Sequence, residues 1–160
     1  MSSKTVLFLA TLLIAVAQNA PAQSQVRGDT IVFVCEHGSA KSVVAAAHFN
    51  RLAAENRLPY RAVARGLNPD QSLPPAIKAG LLADGLDPSA FTPQAITKPE
   101  IQGAARVVAM GTDLPETSAK AKVVRWNGIP SLSENYPAAR AAIVEQVKEL
   151  LATLPPAGKK

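Results

Sequence analysis

The feature that most constrains the fold is an alternation of short, β-branched apolar runs with longer helical segments. Thr30–Cys35 is apolar at nearly every position, which is typical of a strand buried on both faces. The segment 42–56 that follows reads as a helix, and the same order of strand and helix recurs along the chain. Further strands are predicted at 60–65, 106–110 and 122–126, and further helices at 74–83 and from Pro137 onward.

This order of elements predicts a single α/β domain of three layers, in which helices cover both faces of a four-stranded parallel sheet. We assign the domain to residues 29–154, with a flexible N-terminus at 23–28 and a flexible tail at 155–160. An apolar content of 48% excludes a wholly disordered chain. In sheets of this kind ligands bind outside the carboxyl ends of the strands, and Cys35 lies at such an end.

The first 22 residues have the three-part pattern of a secretory signal peptide. Lys4 is a short basic region, residues 6–17 are an apolar run, and Ala20 and Ala22 stand at the positions that a signal peptidase reads. A membrane-spanning helix needs about 20 apolar residues, and this run is shorter. An uncleaved N-terminal anchor is the alternative interpretation. Removal of residues 1–22 would leave 138 of the 160 residues and a formal charge of +4 instead of +5. We expect an exported protein, periplasmic or secreted, with no stable membrane insertion after cleavage.

The counts of cysteine, histidine and charged residues limit the kinds of site. Cys35 is the one cysteine of the sequence, which excludes an intramolecular disulfide framework and a zinc site built from several cysteines. His37 and His48 are the two histidines and supply a metal site poorly, so we expect no metal and no cofactor. The small positive charge forms no basic stripe interleaved with aromatic residues, so we expect no nucleic-acid partner.

The most informative segment runs from Cys35, at the end of the first predicted strand, to Ser42, at the start of the first predicted helix. Backbone N–H groups in such a loop can converge on an anion, and the helix N-terminus adds positive potential. The same field favours a thiolate over a thiol, which makes Cys35 a candidate nucleophile. Lys41 places a cation beside the pocket, and the Ser42 hydroxyl can stabilise the thiolate. The predicted oxyanion-binding loop consists of Glu36, His37, Gly38, Ser39, Ala40 and Lys41.

Each of these residues has a simpler interpretation when it is taken alone. Cys35 could be a buried, inert core thiol, Lys41 a solvated surface charge, and Ser42 an ordinary helix N-cap. His37 alone would be a polar loop residue, and His48 in the middle of a helix fits a packing histidine better than a ligand. The strand–loop–helix context and the ending in lysine and serine favour the anion-binding interpretation.

The segment 35–42 resembles the active-site loop of the low-molecular-weight protein tyrosine phosphatases and of the arsenate reductases that share their fold. That loop reads Cys-x5-Arg-Ser directly after the first strand, and the arsenate reductase form Cys-x-His-Asn-Ser-Ala-Arg-Ser is the nearer match. Weaker similarity in the same order extends over about residues 29–153. The resemblance implies a phosphotyrosine phosphatase I-like fold and a loop that binds phosphate or arsenate. Besides the cysteine, the matching positions of the loop are His37, Ser39, Ala40 and Ser42.

Three departures from the family pattern bear on activity. Lys41 stands where the family has arginine, so a point charge replaces a planar fork that grips two phosphoryl oxygens. Gly38 replaces the asparagine that braces the family's loop. The family's general acid is an aspartate before a proline after the fourth strand, where this chain has Ser131. Glu134 is a nearby carboxylate for that role, or a charge that suits the start of the last helix, and Asp113 is a second candidate or the cap of a helical turn.

Three hypotheses follow, with Cys35, Lys41, Ser42 and Glu134 as the predicted catalytic residues. The first is an exported phosphatase that hydrolyses phosphomonoesters through a cysteine thiolate. The second is an arsenate reductase that uses an external thiol, because a relay through further cysteines is excluded. The third is a catalytically weak relative that binds phosphate, arsenate or a phosphorylated partner. A rhodanese-type sulfur carrier also uses a cysteine loop of this size, but usually places it late in the domain.

Overall fold

The computed structural model describes residues 29–114 and 122–156. The predicted signal peptide, the predicted N-terminal segment 23–28 and the last four residues of the predicted tail lie outside the described residues. Among the residues that are described, no helix has the length and apolar character needed to cross a membrane. The elements are, in order, β1 Thr30–Cys35, α1 Lys41–Glu55, β2 Arg61–Gly66, α2 Pro75–Ala83, a short 3-10 helix Pro88–Ala90, α3 Lys98–Gly103, β3 Arg106–Met110, β4 Val123–Trp126 and α4 Tyr136–Thr153.

The described strands form one parallel sheet in the order β2-β1-β3-β4. β1 lies inside the sheet, with Cys35 opposite Gly66 of β2 on one side and Val34 opposite Ala109 of β3 on the other. Every residue of β1 is buried, as an apolar run with neighbours at both edges and layers on both faces should be. The predicted four-stranded parallel α/β fold is thereby confirmed in the described part of the chain.

Alternate residues of β1 face two separate apolar clusters, because successive side chains of a strand point to opposite faces. Phe33 belongs to the larger cluster, to which α1 contributes Val44 and α4 contributes Ile143. Val34 belongs to the smaller cluster, to which α3 contributes Ile101. Helices therefore lie on both faces of the sheet, and the domain has the three layers expected from the sequence.

The sequence pattern does not predict α3. This six-residue helix begins with a capping box, in which Thr97 Oγ1 accepts from the Glu100 N–H and the Glu100 carboxylate accepts from the Thr97 N–H. The same carboxylate accepts from the buried guanidinium of Arg65 in β2, with Nη2 and Oε1 2.7 Å apart. A helix of under two turns cannot show a repeating apolar face, so helical periodicity gives no signal for it.

The strand order creates the crevice that holds the site. The chain leaves β1 toward β2 on one side and returns to the other side of β1 for β3. Connections therefore diverge at the carboxyl ends of β1 and β3, and ligands of open parallel sheets bind at such a point. Cys35 ends β1, Met110 ends β3, and both line the cleft found there.

Candidate active site

The loop between β1 and α1 leads into a helix start that favours an anion. α1 begins at Lys41, one residue before the predicted start, and Ala40 is its N-cap. Alanine offers no side-chain acceptor to the first N–H groups, and the first turn of this described helix carries no acidic residue. Because the first N–H groups of a helix have no partner within it, a start without a side-chain cap suits an oxyanion.

Cys35 and Ser42 are in contact at the base of the loop. Cys35 Sγ lies 3.2 Å from Ser42 Oγ, and the serine side chain is fully buried. Cys35 is 7% exposed and lines the cleft, so its sulfur is not sealed in the core as the inert-thiol interpretation requires. A hydroxyl that donates to sulfur stabilises the thiolate, because hydrogen bonds to ionised acceptors are stronger than neutral ones. The structure thus brings together the two side chains that the sequence paired.

Residues 66–70, at and after the end of β2, hold the loop through backbone hydrogen bonds. Leu67 N–H donates to Cys35 O at 3.2 Å, and Asn68 N–H donates to Glu36 O at 2.8 Å. These bonds fix the loop backbone against the end of β2. A site built from backbone amides depends on such fixation, because donors that are held in place need not reorganise when the anion arrives.

The backbone of Gly38 packs closely against the end of β2. Its φ of +61° lies in the left-handed region, which glycine adopts without the steric cost that other residues meet. A Cβ on Gly38 would stand 2.7 Å from the Gly66 N atom, and a Cβ on Gly66 would stand 2.7 Å from the Gly38 N atom. The two segments therefore approach each other at a distance that requires glycine on both sides.

Asp70 braces the loop with its side chain as well as its backbone. Its N–H donates to His37 O at 3.0 Å. Its Oδ2 accepts from the buried Ser39 hydroxyl, and its Oδ1 lies 3.6 Å from His37 Nδ1. Sequence analysis did not identify Asp70 as a residue of the site. The predicted parallel sheet could have indicated this position, because the turn after β2 emerges at the same edge as the loop after the neighbouring β1.

Glu36 and Lys41 connect the loop to the other segments at this edge of the sheet. The Glu36 carboxylate accepts from Asn68 Nδ2 at 2.6 Å and from Thr112 Oγ1 at 3.2 Å. Lys41 Nζ donates to Ile129 O at 3.1 Å, in the connection between β4 and α4. The lysine also lines the cleft, so its cation contributes positive charge there.

A cleft of about 430 Å³ opens over the loop, a volume suited to a small ligand. Of the predicted loop residues, all but Gly38 line it. Within the described residues, no cluster of histidine, cysteine, aspartate and glutamate is suited to hold a metal ion. The apolar part of its lining includes Pro74, Ile77, Met110 and Leu132.

No protein-family model and no curated protein matches this chain. Solved structures do match. An arsenate reductase in the phosphate binding state superposes with a TM-score of 0.67 at 20% identity, over 79% of this chain and 99% of that one. A low-molecular-weight protein tyrosine phosphatase from T. tengcongensis superposes with a TM-score of 0.68 at 18% identity, over 78% and 99%. YfkJ from Bacillus subtilis gives 0.70 at 16% identity, over 78% and 92%.

This chain has the fold of the low-molecular-weight phosphatases and arsenate reductases. The resemblance read from the segment 35–42 is thereby confirmed at the level of the fold. The matched structures are covered almost completely, so the likeness extends over the whole described domain and is not confined to the cysteine loop.

In this phosphatase fold, the connection after β4 carries the residues considered as replacements for the family's acid. Ser131 lines the cleft, and its hydroxyl lies 2.8 Å from the Ser133 hydroxyl. Glu134 is exposed and is not among the described residues that line the cleft. The Asp113 side chain is 96% exposed and lies 3.8 Å from the Arg125 guanidinium. The structure brings Ser131 to the site but neither carboxylate, and the acid role of Glu134 stays a prediction.

Proposed function

We propose that this chain binds a tetrahedral oxyanion in the loop 35–42 and hydrolyses phosphomonoesters slowly through a Cys35 thiolate. The observation that carries the proposal is the contact of Cys35 Sγ with Ser42 Oγ, 3.2 Å long and beside a helix start without a side-chain cap. Solved structures with the same fold are named as phosphatases and arsenate reductases, which supports an oxyanion ligand.

Backbone and side-chain donors together would hold the anion. The N–H groups of the loop and of the first turn of α1 donate to its oxygens, and the helix dipole favours its negative charge. Lys41 adds a full positive charge at the cleft. Its ammonium group has three donors, so the bond from Nζ to Ile129 O leaves donors for the ligand.

Hydrolysis would proceed in two steps. The Cys35 thiolate attacks phosphorus, so that an S–P bond forms, the bond from phosphorus to the ester oxygen breaks, and the leaving oxygen takes up a proton. Water then attacks phosphorus and gives up a proton, the S–P bond breaks, and cysteine leaves as the thiolate that Ser42 stabilises. Glu134, which the sequence suggests, or a water molecule is the candidate proton donor of the first step.

Lys41 is the reason to expect slow turnover. Arginine at this position presents a planar fork to two oxygens of the transferred group, whereas lysine presents a single point of charge. Removal of one preorganised transition-state donor lowers turnover about 100- to 1,000-fold in other enzymes. Ground-state binding of phosphate depends less on that geometry, so affinity for the anion should be better preserved than the rate.

Reduction of arsenate is a second candidate, favoured by arsenate reductases among the structures with this fold. The Cys35 thiolate would replace one hydroxyl of arsenate, forming an S–As bond. An external thiol would attack the sulfur, giving a mixed disulfide while arsenic leaves as arsenite with the electron pair of that bond. A second thiol molecule then releases Cys35. Both thiols must be external because Cys35 is the one cysteine in the sequence.

We also propose that the protein is exported, supported by the sequence pattern of residues 1–22. Expression in a bacterium with a C-terminal tag, cell fractionation and N-terminal sequencing test this proposal. A mature chain that begins after Ala22 in the periplasm or medium supports it. Full-length protein retained in the cytoplasm contradicts it.

Hydrolysis of p-nitrophenyl phosphate by purified, reduced protein tests the phosphatase reaction. We expect slow turnover between about pH 5 and 8 that Cys35→Ser abolishes, while calorimetry shows phosphate binding in both proteins. Glu145→Gln, on the surface of α4, is a matched control and should turn over like the wild type. A wild-type protein no more active than Cys35→Ser contradicts hydrolysis. The absence of binding heat at millimolar phosphate contradicts the oxyanion site itself. Arsenite release that requires an added thiol would identify the second candidate.

A further inference from the structure

His37 and Asp70 form a pair on the rim of the cleft that holds Cys35. His37 Nδ1 lies 3.6 Å from Asp70 Oδ1, and the two side chains are 62% and 43% exposed. Both residues line the cleft, so a substrate seated over the loop can reach them. An imidazole beside a carboxylate is a recurring arrangement for proton transfer in hydrolases.

Two hydrogen bonds hold the pair in position. The Asp70 N–H donates to His37 O at 3.0 Å, which ties the two backbones together. The buried Ser39 hydroxyl donates to Asp70 Oδ2, which fixes the carboxylate with its other oxygen toward the imidazole. With Nδ1 directed at Asp70, the ring presents Nε2 on its opposite side. The carboxylate that faces the imidazole is therefore fixed before any substrate binds.

The other polar side chains of the cleft are less suited to protonate a leaving oxygen. Both oxygens of Glu36 accept hydrogen bonds, from Asn68 and Thr112, which favours a carboxylate that holds the loop. Lys41 carries the charge that attracts the anion and donates to a backbone carbonyl. Ser131, at the position of the family's acid, offers only a hydroxyl.

We propose that His37, positioned by Asp70, is the proton donor and acceptor of the phosphatase reaction. This inference rests on the proposed hydrolysis. In the first step the imidazolium Nε2–H gives its proton to the ester oxygen as the bond to phosphorus breaks, and the ring becomes neutral. In the second step the neutral ring takes a proton from the water that attacks phosphorus. The Asp70 carboxylate stabilises the imidazolium that is present before the first step and is formed again in the second. An imidazole ring suits this exchange because the same nitrogen can donate a proton and later accept one.

Two substrates that differ in leaving group test the inference. Phenyl phosphate has a poor leaving group that needs a proton, whereas p-nitrophenyl phosphate has a good one that leaves as the anion. We expect His37→Gln to lower kcat/KM for phenyl phosphate about 100-fold and to change that for p-nitrophenyl phosphate less than about fivefold. Asp70→Asn should act in the same direction by about tenfold, because the imidazole remains but loses its charged partner.

Two further variants separate proton transfer from a structural role. His37→Ala should regain phenyl phosphate hydrolysis in proportion to added imidazole, which a merely misfolded loop would not do. Glu145→Gln, on the surface of α4, should keep both rates within about twofold of the wild type. Glu134→Gln measures the rival donor that the sequence suggests.

The outcomes distinguish this inference from the function on which it rests. If His37→Gln lowers both rates equally and imidazole does not rescue His37→Ala, the role of His37 is overturned but the phosphatase reaction is not. The same holds if Glu134→Gln shows the leaving-group effect instead. If the wild type hydrolyses neither substrate faster than Cys35→Ser, the proposed function fails and this inference fails with it.

Discussion

Lys41 has two roles at the start of α1. Its Nζ donates to Ile129 O at 3.1 Å, and the same cation lines the cleft beside Cys35. Lysine carries its donors on one atom, so it can keep the carbonyl contact and still attract an oxyanion. It cannot present two parallel N–H groups to two oxygens, as arginine does when it binds a phosphoryl group in a bidentate way. In the proposed reaction, Lys41 would therefore favour binding of the anion over stabilisation of the transition state.

Replacement of Lys41 by arginine should raise turnover. We expect Lys41→Arg to increase kcat on p-nitrophenyl phosphate by about tenfold, because the guanidinium supplies the missing second donor. Lys41→Met should weaken phosphate binding about tenfold, because it removes the charge while keeping much of the side-chain volume. Steady-state kinetics and calorimetry on the three proteins measure the two effects separately.

The control for this pair is Lys148→Arg in α4, where the lysine is half exposed and pairs with Glu145 at 2.7 Å. That change should leave kcat and phosphate affinity as they are. A Lys41→Arg protein that is no faster than the wild type would argue against the missing fork as the limit on rate. The contact with Ile129 O would then be the more important role of residue 41.

At the scale of elements, the site depends on how closely the loop after β1 approaches the segment after β2. Gly38 and Gly85 both have positive φ, +61° and +71°. A Cβ on Gly38 would collide with backbone at 2.7 Å, whereas no described heavy atom lies within 4 Å of a Cβ on Gly85. The two glycines therefore share a conformation and differ in crowding.

Gly38→Ala should be much more damaging than Gly85→Ala. We expect Gly85→Ala to lower the free energy of unfolding by about 1 kcal/mol, the usual cost of a left-handed alanine. Gly38→Ala adds a steric clash and should cost about 1–3 kcal/mol more. Urea unfolding measures both, and phosphate binding should weaken only in Gly38→Ala. Equal losses in the two variants would show that the close approach to Gly66 does not matter for stability.

The sequence predicts strands and the ends of long helices better than it predicts contacts. Thr30–Cys35 coincides with β1, because a β-branched run buried on both faces has a strong local signal. The start of α1 differs from the prediction by one residue. The positions of Asp70 and Ile129 near the loop depend on which connections emerge together at the sheet edge. Those contacts follow from strand order and register, so they cannot be predicted from the local sequence pattern.

At the scale of the whole molecule, Asp84 joins three helices in a largely buried polar network. His48 of α1 is fully buried, and its Nε2 lies 3.2 Å from Asp84 Oδ2 at the end of α2. From α4, Tyr136 Oη donates to the same oxygen at 3.0 Å, and Arg140 Nη2 lies 2.9 Å from Oδ1. Burial and the nearby carboxylate raise the pKa of Tyr136, so the phenol stays a donor. His48 is thus the packing histidine that the sequence suggested, with polar partners.

Protonation of His48 opposes folding. Burial lowers the pKa of His48, and the charge of Arg51 adds to this effect, while Asp84 acts in the opposite direction. Arg51 Nη2 donates to His48 Nδ1 at 3.0 Å, so Nδ1 is an acceptor and the ring carries its proton on Nε2. A proton on Nδ1 would break that bond. In the unfolded chain the ring is solvated and titrates near about pH 6.5.

The unfolded chain therefore binds a proton at pH values where the folded chain does not, and stability should decrease on acidification. The contribution of His48 is complete above about pH 6.5 and is lost as the pH falls from there toward the lowered pKa of the folded state. One proton limits the slope to about 1.4 kcal/mol per pH unit. Urea unfolding at about pH 7.5, 6.5 and 5.5 measures it. His48→Gln should be less stable throughout but show a flatter slope. A slope that persists unchanged in His48→Gln would place the acid sensitivity of the fold outside the network around Asp84.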